Sequence, residues 1–181
     1  MLIEALIGAI IVGLLSGGKF FNLGRLDFKY VYAIFAAFLI QVGIDFWAPS
    51  HVFWGYPYLH FASYILLFLA LIQNRKLPGV YLILAGTALN FAVIALNGGQ
   101  MPVRADVIPR EMAAALAAGH GGTHGLLTGA TRLGFLADLL YLTLPYQKQL
   151  ISIGDIVIDI GVFVLVIRGM RGVTGKRISF L

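Results

Sequence analysis

The chain has 181 residues, of which 60% are apolar and 12% are charged, with a net charge of +5. Soluble domains run about a quarter charged and just under half apolar, so the composition argues against a soluble globular enzyme, a disordered chain or a coiled-coil rod. Cysteine is absent, which removes disulfides, thiolate-bound zinc, iron–sulfur clusters and thiol nucleophiles.

In chain order, the first apolar run is 2–17, carrying Glu4 early. Without a basic leader or a small-x-small cleavage site it reads as a retained helix rather than a secretory signal. Gly13 and Gly17 form a small-xxx-small face suited to helix packing. Lys19, Arg25 and Lys29 follow. The second run, 30–48, places Gln41 and Asp45 on one helical face at i,i+4. The connection from Phe46 to Pro57 has no basic residue, and Trp47, Trp54, Tyr56 and Tyr58 cluster there as an interfacial aromatic belt does. The third run, 54–73, contains His60 and Ser63 and ends at Arg75 and Lys76. The fourth, 77–97, carries Asn90 and Asn97 on a common face at i,i+7.

Segment 98–149 breaks the pattern. Gly98-Gly99-Gln100-Met101-Pro102 stops the fourth helix. Residues 109–118 read as a short helix with proline at its first turn, and His120-Gly-Gly-Thr-His124-Gly125 is too glycine-rich for one. Residues 126–144, interrupted by Arg132 and Asp138, are expected as an interfacial or re-entrant helix over the bundle. The last run, 150–168, holds Ser152, Asp155 and Asp159, the two carboxylates sharing a face at i,i+4. Arg168, Arg171, Lys176 and Arg177 close the chain.

A membrane-spanning helix needs about 20 apolar residues. The expected fold is therefore an all-α membrane protein, one integral domain over 1–181, with five transmembrane helices and a partly helical extracytoplasmic cap at 98–149. Three tracts hold nine of the thirteen basic residues and alternation places them on one side. The positive-inside rule then sets the N-terminus outside and the C-terminus in the cytoplasm of a bacterial plasma membrane. Topology accounts for the basic charge, so no nucleic-acid partner is expected. The lipid bilayer is, and a homo-oligomer or a larger membrane complex stays open.

An ionisable group in hydrocarbon costs about 2.5–3.5 kcal/mol on insertion scales, and in this topology the polar groups of the runs fall in the outer half of the bundle or at its midplane. The pattern points to a non-enzymatic, outward-facing polar site for a cation, a proton or a small polar ligand. Asp155 and Asp159 would line it with Asn90, Asn97, Gln100, Gln41 and Asp45. An alternative is an intramembrane hydrolase using Asp138 with Asp155, or Asp155 with Asp159, since two adjacent carboxylates do not both ionise cheaply and one becomes an acid beside a base. His120 and His124 are candidate metal ligands, set against a plainer reading as solvated loop histidines. No cofactor is identified. An accessory subunit of a membrane complex is the remaining class.

Three stretches carry a resemblance: Asn97-Gly-Gly-Gln-Met-Pro-Val103, Gly134-Phe-Leu-Ala-Asp138 and Ile151-Ser-Ile-Gly-Asp155. Together with Asn-Arg-Lys-Leu-Pro-Gly at 74–79 they resemble the signature of a family of bacterial multi-pass membrane proteins, the domain of unknown function numbered 5317. It implies no activity. Asp138 and Asp155 also give a local similarity to lipoprotein signal peptidase, whose two catalytic aspartates sit near the outer membrane face. Position 135 is Phe and position 152 is Ser where that enzyme's patterns require Asn.

Overall fold

Local signals set the helix limits. The computed structural model describes residues 2–51 and 53–172, so Lys176 and Arg177 lie outside the described residues. The first helix, α1 (Leu2–Leu15), is followed by a 3-10 turn at Phe20–Arg25 and then α2 (Val31–Trp47). Helix α3 (Tyr56–Gln73) has proline in its first turn, where the missing N–H costs nothing. Helix α4 (Val80–Leu96) begins after Gly79, whose φ of 81° suits glycine. The short α5 (Arg110–Ala117) follows Pro109 and fills the place expected for a helix at 109–118. The last helix, α6 (Ile153–Met170), opens with a capping box: Ser152 Oγ accepts from the Asp155 N–H while the Asp155 carboxylate accepts from the Ser152 N–H.

The five longer helices run alternately up and down in the order α1 to α4, and α6 returns parallel to α1. At one end, the base, the Lys19 N–H and Asn22 Nδ2 both donate to the Met170 carbonyl, tying the ends of α1 and α6. Buried Asn74 accepts from the Lys29 N–H (2.8 Å) and donates to the Lys29 carbonyl (2.7 Å), joining the end of α3 to the approach to α2. The base thus collects Lys19, Arg25, Lys29, Arg75, Lys76, Arg168 and Arg171.

The opposite end is covered by the cap. Strand β1 (Met101–Val103) pairs in parallel with β2 (His124–Leu126), Val103 opposite Leu126, with α5 carried in the crossover. Val103 also bridges to Asp138. Strands β3 (Leu140–Thr143) and β4 (Lys148–Ile151) form an antiparallel hairpin leading into α6. This hairpin is pinned to α1, where Glu4 Oε1 accepts from Tyr146 Oη (2.8 Å) and Gln147 Nε2 (2.7 Å). Tyr64, Val93, Ile94, Met101 and Leu136 bury one apolar cluster beneath the cap, and Leu71, Val80 and Leu165 another near the base.

The expectation of five transmembrane helices is not met. Among the described residues one helix, α3, is long and apolar enough to cross a membrane by length and composition. Helices α1, α2 and α4 have 14, 17 and 17 residues, which gives about 21–26 Å at 1.5 Å per residue against a hydrocarbon core of about 30 Å. Helix α6 has 18 residues but carries Asp155, Asp159 and Arg168. The apolar runs were longer than the helices because they include turn and cap residues: Ser16-Gly17, Tyr30, Trp54-Gly55, Leu77-Pro78-Gly79 and Leu150–Ser152. The all-α expectation also fails, since the cap contains four strands.

Residues 126–144 do not form an interfacial or re-entrant helix. Thr128 and Thr131 close a turn around Gly129, Leu133 sits in the left-handed region at φ 54°, and Leu140–Thr143 pairs with Lys148–Ile151 across a turn containing Pro145. Hydrophobicity alone did not separate a helix from short paired strands here. Of the two glycines expected to pack α1, Gly13 abuts Met170, whereas Gly17 (φ 79°) meets nothing within 4 Å and ends the helix.

Candidate functional site

The crossing of α4 and α6 brings polar groups from distant parts of the chain together. A Cβ on Gly154 would overlap the Asn90 side chain, and one on Gly86 would overlap the Gly154 carbonyl, so these glycines permit a near-backbone approach. Asn90 then meets the start of α6: its Nδ2 donates to Asp155 Oδ1 (2.8 Å) and its Oδ1 accepts from Ser152 Oγ (2.9 Å). Ser152 Oγ lies 2.7 Å from Asp155 Oδ2, which also accepts from the Ser152 N–H (2.8 Å). Both oxygens of Asp155 are thereby engaged and its orientation is fixed.

These residues border a cavity of about 600 Å³ walled by α2, α3, α4 and α6 and roofed by the cap. Four of the chain's eight acidic residues line it, namely Asp45, Asp138, Asp155 and Asp159, and among the described residues no lysine or arginine does. Asp45 lies toward the cap, where its Oδ1 accepts from the Thr123 N–H (3.1 Å) and Oγ1 (2.7 Å). Thr123 Oγ1 is 2.9 Å from His124 Nδ1. On the other side of the ring, His124 Nε2 is 3.5 Å from Asp138 Oδ2. A polar chain, Asp45–Thr123–His124–Asp138, thus crosses the underside of the cap.

Asp138 is 2% exposed. Burial, reinforced by the negative charge of Asp155, raises its pKa from 3.8 to about 7. Burial also lowers the His124 pKa, against the opposing pull of Asp45 and Asp155, so the ring is neutral at pH 7. Asp159 lies one turn along α6 from Asp155. It is 8% exposed, and its buried Oδ2 has no hydrogen-bond partner among the described residues. A buried, unsatisfied carboxylate oxygen carries a desolvation penalty.

Of the residues singled out from sequence, Gln41, Asp45, Asn90, Asp138, Asp155 and Asp159 line this cavity, as does His124. Gln41 Nε2 donates to Ser63 Oγ (2.9 Å). Asn97 and Gln100 lie elsewhere. Asn97 follows α4 and exchanges hydrogen bonds with the Arg132 backbone (2.8 and 2.9 Å), Gln100 donates to the Gly122 carbonyl, and both line a separate pocket of about 370 Å³. The seven-residue spacing from Asn90 did not keep Asn97 on the cavity because the helix ends at Leu96. His120 Nδ1 approaches the Ala48 carbonyl at 3.2 Å. Among the described residues no three His, Asp or Glu side chains are arranged to hold a metal ion. Sequence reading missed Thr123, and it treated Ser152 only as a polar residue within a span. The Ser-x-x-Asp spacing at 152–155 is a legible capping signal, whereas Thr123 has no signature of its own.

A model for a family of unknown function (DUF5317) matches residues 25–167. An uncharacterized protein from Thermotoga maritima is 30% identical over 165 residues, covering 91% of this chain and 89% of its own. No solved structure matches. Most of the chain, including α2 to α5, the cap and the carboxylates of α6, falls inside the family match, and this protein belongs to the DUF5317 family of unknown function.

Proposed function

We propose that this chain is a membrane-associated binding protein whose cavity accepts a cation. The observation that carries the reading is the charge of the lining: half of the acidic residues of a chain with net charge +5 surround one cavity that no lysine or arginine among the described residues enters. Carboxylate and amide oxygens are hard acceptors suited to ammonium groups, protons or hydrated cations. Asp155, oriented by Asn90 and Ser152, provides a fixed charge. Asp159 brings an oxygen that no donor among the described residues satisfies. Asp138 and His124 can exchange a proton as a cation arrives. Isothermal titration of purified protein with methylammonium and with sodium chloride tests this. Saturable methylammonium binding that is lost in Asp159→Asn supports it, and identical heats for wild type and variant sink it.

Membrane association is supported by α3 and by the apolar side chains that α1 and α2 expose, among them Ile7, Ile11, Phe35, Phe38 and Leu39. Arg75 and Lys76 directly follow α3, which favours an N-terminus outside and a C-terminus in the cytoplasm of a bacterial plasma membrane. Because the chain has no cysteine, single cysteines at Gln147 and Arg171 report this directly: an impermeant maleimide added to whole cells should label the first and spare the second.

A second reading, an aspartate-dependent hydrolase, is favoured by one observation: Asp138 holds a proton near neutral pH in the cavity that Asp155 also lines. It ranks second because both oxygens of Asp155 are committed to Asn90 and Ser152. Cleavage of a lipidated peptide that disappears in Asp138→Asn would reverse the ranking.

A further inference from the structure

The cavity is chemically uneven along the bundle axis. Its carboxylates stand at the cap end and reach down α6 only as far as Asp159, whereas the walls beyond, from Leu67, Leu71, Val80, Ile83 and Val162, are apolar. From Asp159 to the level of Leu165, which packs with Leu71 and Val80 near the base, the axis runs about 9 Å, six residues at 1.5 Å each. Asp159 stands where polar wall gives way to apolar wall. Asp159 lines the cavity, and among the described residues its buried Oδ2 lacks a hydrogen-bond partner, so an acceptor is available at the head of an apolar channel.

We infer that the cavity takes a single-chain primary amine, with its ammonium group at Asp155 and Asp159 and its alkyl tail directed toward the base; this rests on the cation-binding reading above. An ammonium offers three donors, enough to satisfy Asp159 Oδ2 while also meeting the outer lone pairs of Asp155. The tail gains by leaving water, roughly in proportion to the apolar area it buries. A second charge at the far end of the tail would lie against apolar walls without a partner, which is unfavourable. A monoamine therefore fits better than a diamine of equal length.

The probes are octylamine, methylamine, octanol and 1,8-diaminooctane, titrated calorimetrically into protein held in maltoside micelles. Parallel titrations use Asp159→Asn and Leu67→Trp protein in the same micelles, which cancels partition of the probe into detergent. Octylamine is expected to bind at least about tenfold more tightly than methylamine or octanol, the scale of one charge-assisted hydrogen bond or two buried methylenes. Asp159→Asn should abolish the advantage over octanol. Leu67→Trp should bring octylamine down to the level of methylamine. Methylamine binding as tightly as octylamine, or the diamine binding more tightly than either, overturns the tail assignment while the cation site stands. Amines binding no better than octanol, or wild-type affinity in Asp159→Asn, overturns both. The two variants act on different parts of the cavity, the carboxylate and the apolar wall, so if one fails to fold, the other still decides the outcome.

Discussion

At Asp138 the native state keeps a proton that the unfolded chain gives up. The folded pKa is about 7 and the ordinary value is 3.8, so between these limits the native state binds more protons and stability falls as pH rises. Three units at 1.36 kcal/mol each give a ceiling of about 4 kcal/mol. His124 tilts the balance the other way. Held neutral by burial, it makes stability rise with pH up to its ordinary value of 6.5. Comparing Asp138→Asn with wild type isolates the carboxyl: the variant should gain relative stability steadily from pH 4 to pH 7, then level off. Denaturant melts at pH 5 and pH 8 that give the same difference between the two proteins would refute the assignment. Much of this was legible residue by residue, because a carboxylate within an apolar stretch always needs a reason. What sequence did not reveal was the partner, since Asp138 and His124 are joined only by the pairing of the cap segments.

Among the elements, the α4–α6 contact is the one that orients Asp155. Gly154→Ala places a methyl on the Asn90 side chain, and the required shift should cost about 1–3 kcal/mol. Ser152→Ala removes the capping box and should cost about 1 kcal/mol or more, with the added loss of the Asn90 bond. Both losses would appear as lower melting temperatures. The Gly154 variant should also reduce methylammonium binding, because Asn90 can no longer hold Asp155. The helices themselves were readable because each long apolar run contains one, with proline at the start of α3 and serine before α6. Their ends were less so: apolar residues such as Leu77 and Leu150 serve equally well in a turn or a strand. Strands of three or four residues, such as β2 at His124–Leu126, are stabilised by the partner they meet rather than by their own pattern.

Taken whole, the molecule separates its charges. Seven basic side chains collect at the base, four carboxylates line the cavity, and apolar side chains cover the outer faces of α1 and α2. Composition had already separated this chain from ordinary soluble domains, yet the number of crossings could not be counted from it, because a run of twenty apolar residues is not a helix of twenty residues. If α3 and the exposed faces of α1 and α2 meet lipid, the protein should stay with the membrane pellet after alkaline carbonate washing and require detergent for release. Recovery in the carbonate supernatant would argue for a peripheral or soluble state.

The short ladder beneath the cap has a consequence for how the cavity opens. The Asp138 N–H donates to the Pro102 carbonyl (2.9 Å), the Arg104 N–H to the Asp138 carbonyl (3.1 Å) and the Leu127 N–H to the Val103 carbonyl (2.8 Å). The buried carboxyl is thus held in place by the edge of a strand whose other edge carries the crossover with α5. Peeling β1 from either neighbour displaces Asp138, so the three amides should exchange with deuterium as one cooperative unit. Their common rate then measures how often the roof lifts, a quantity that a bound amine would lower.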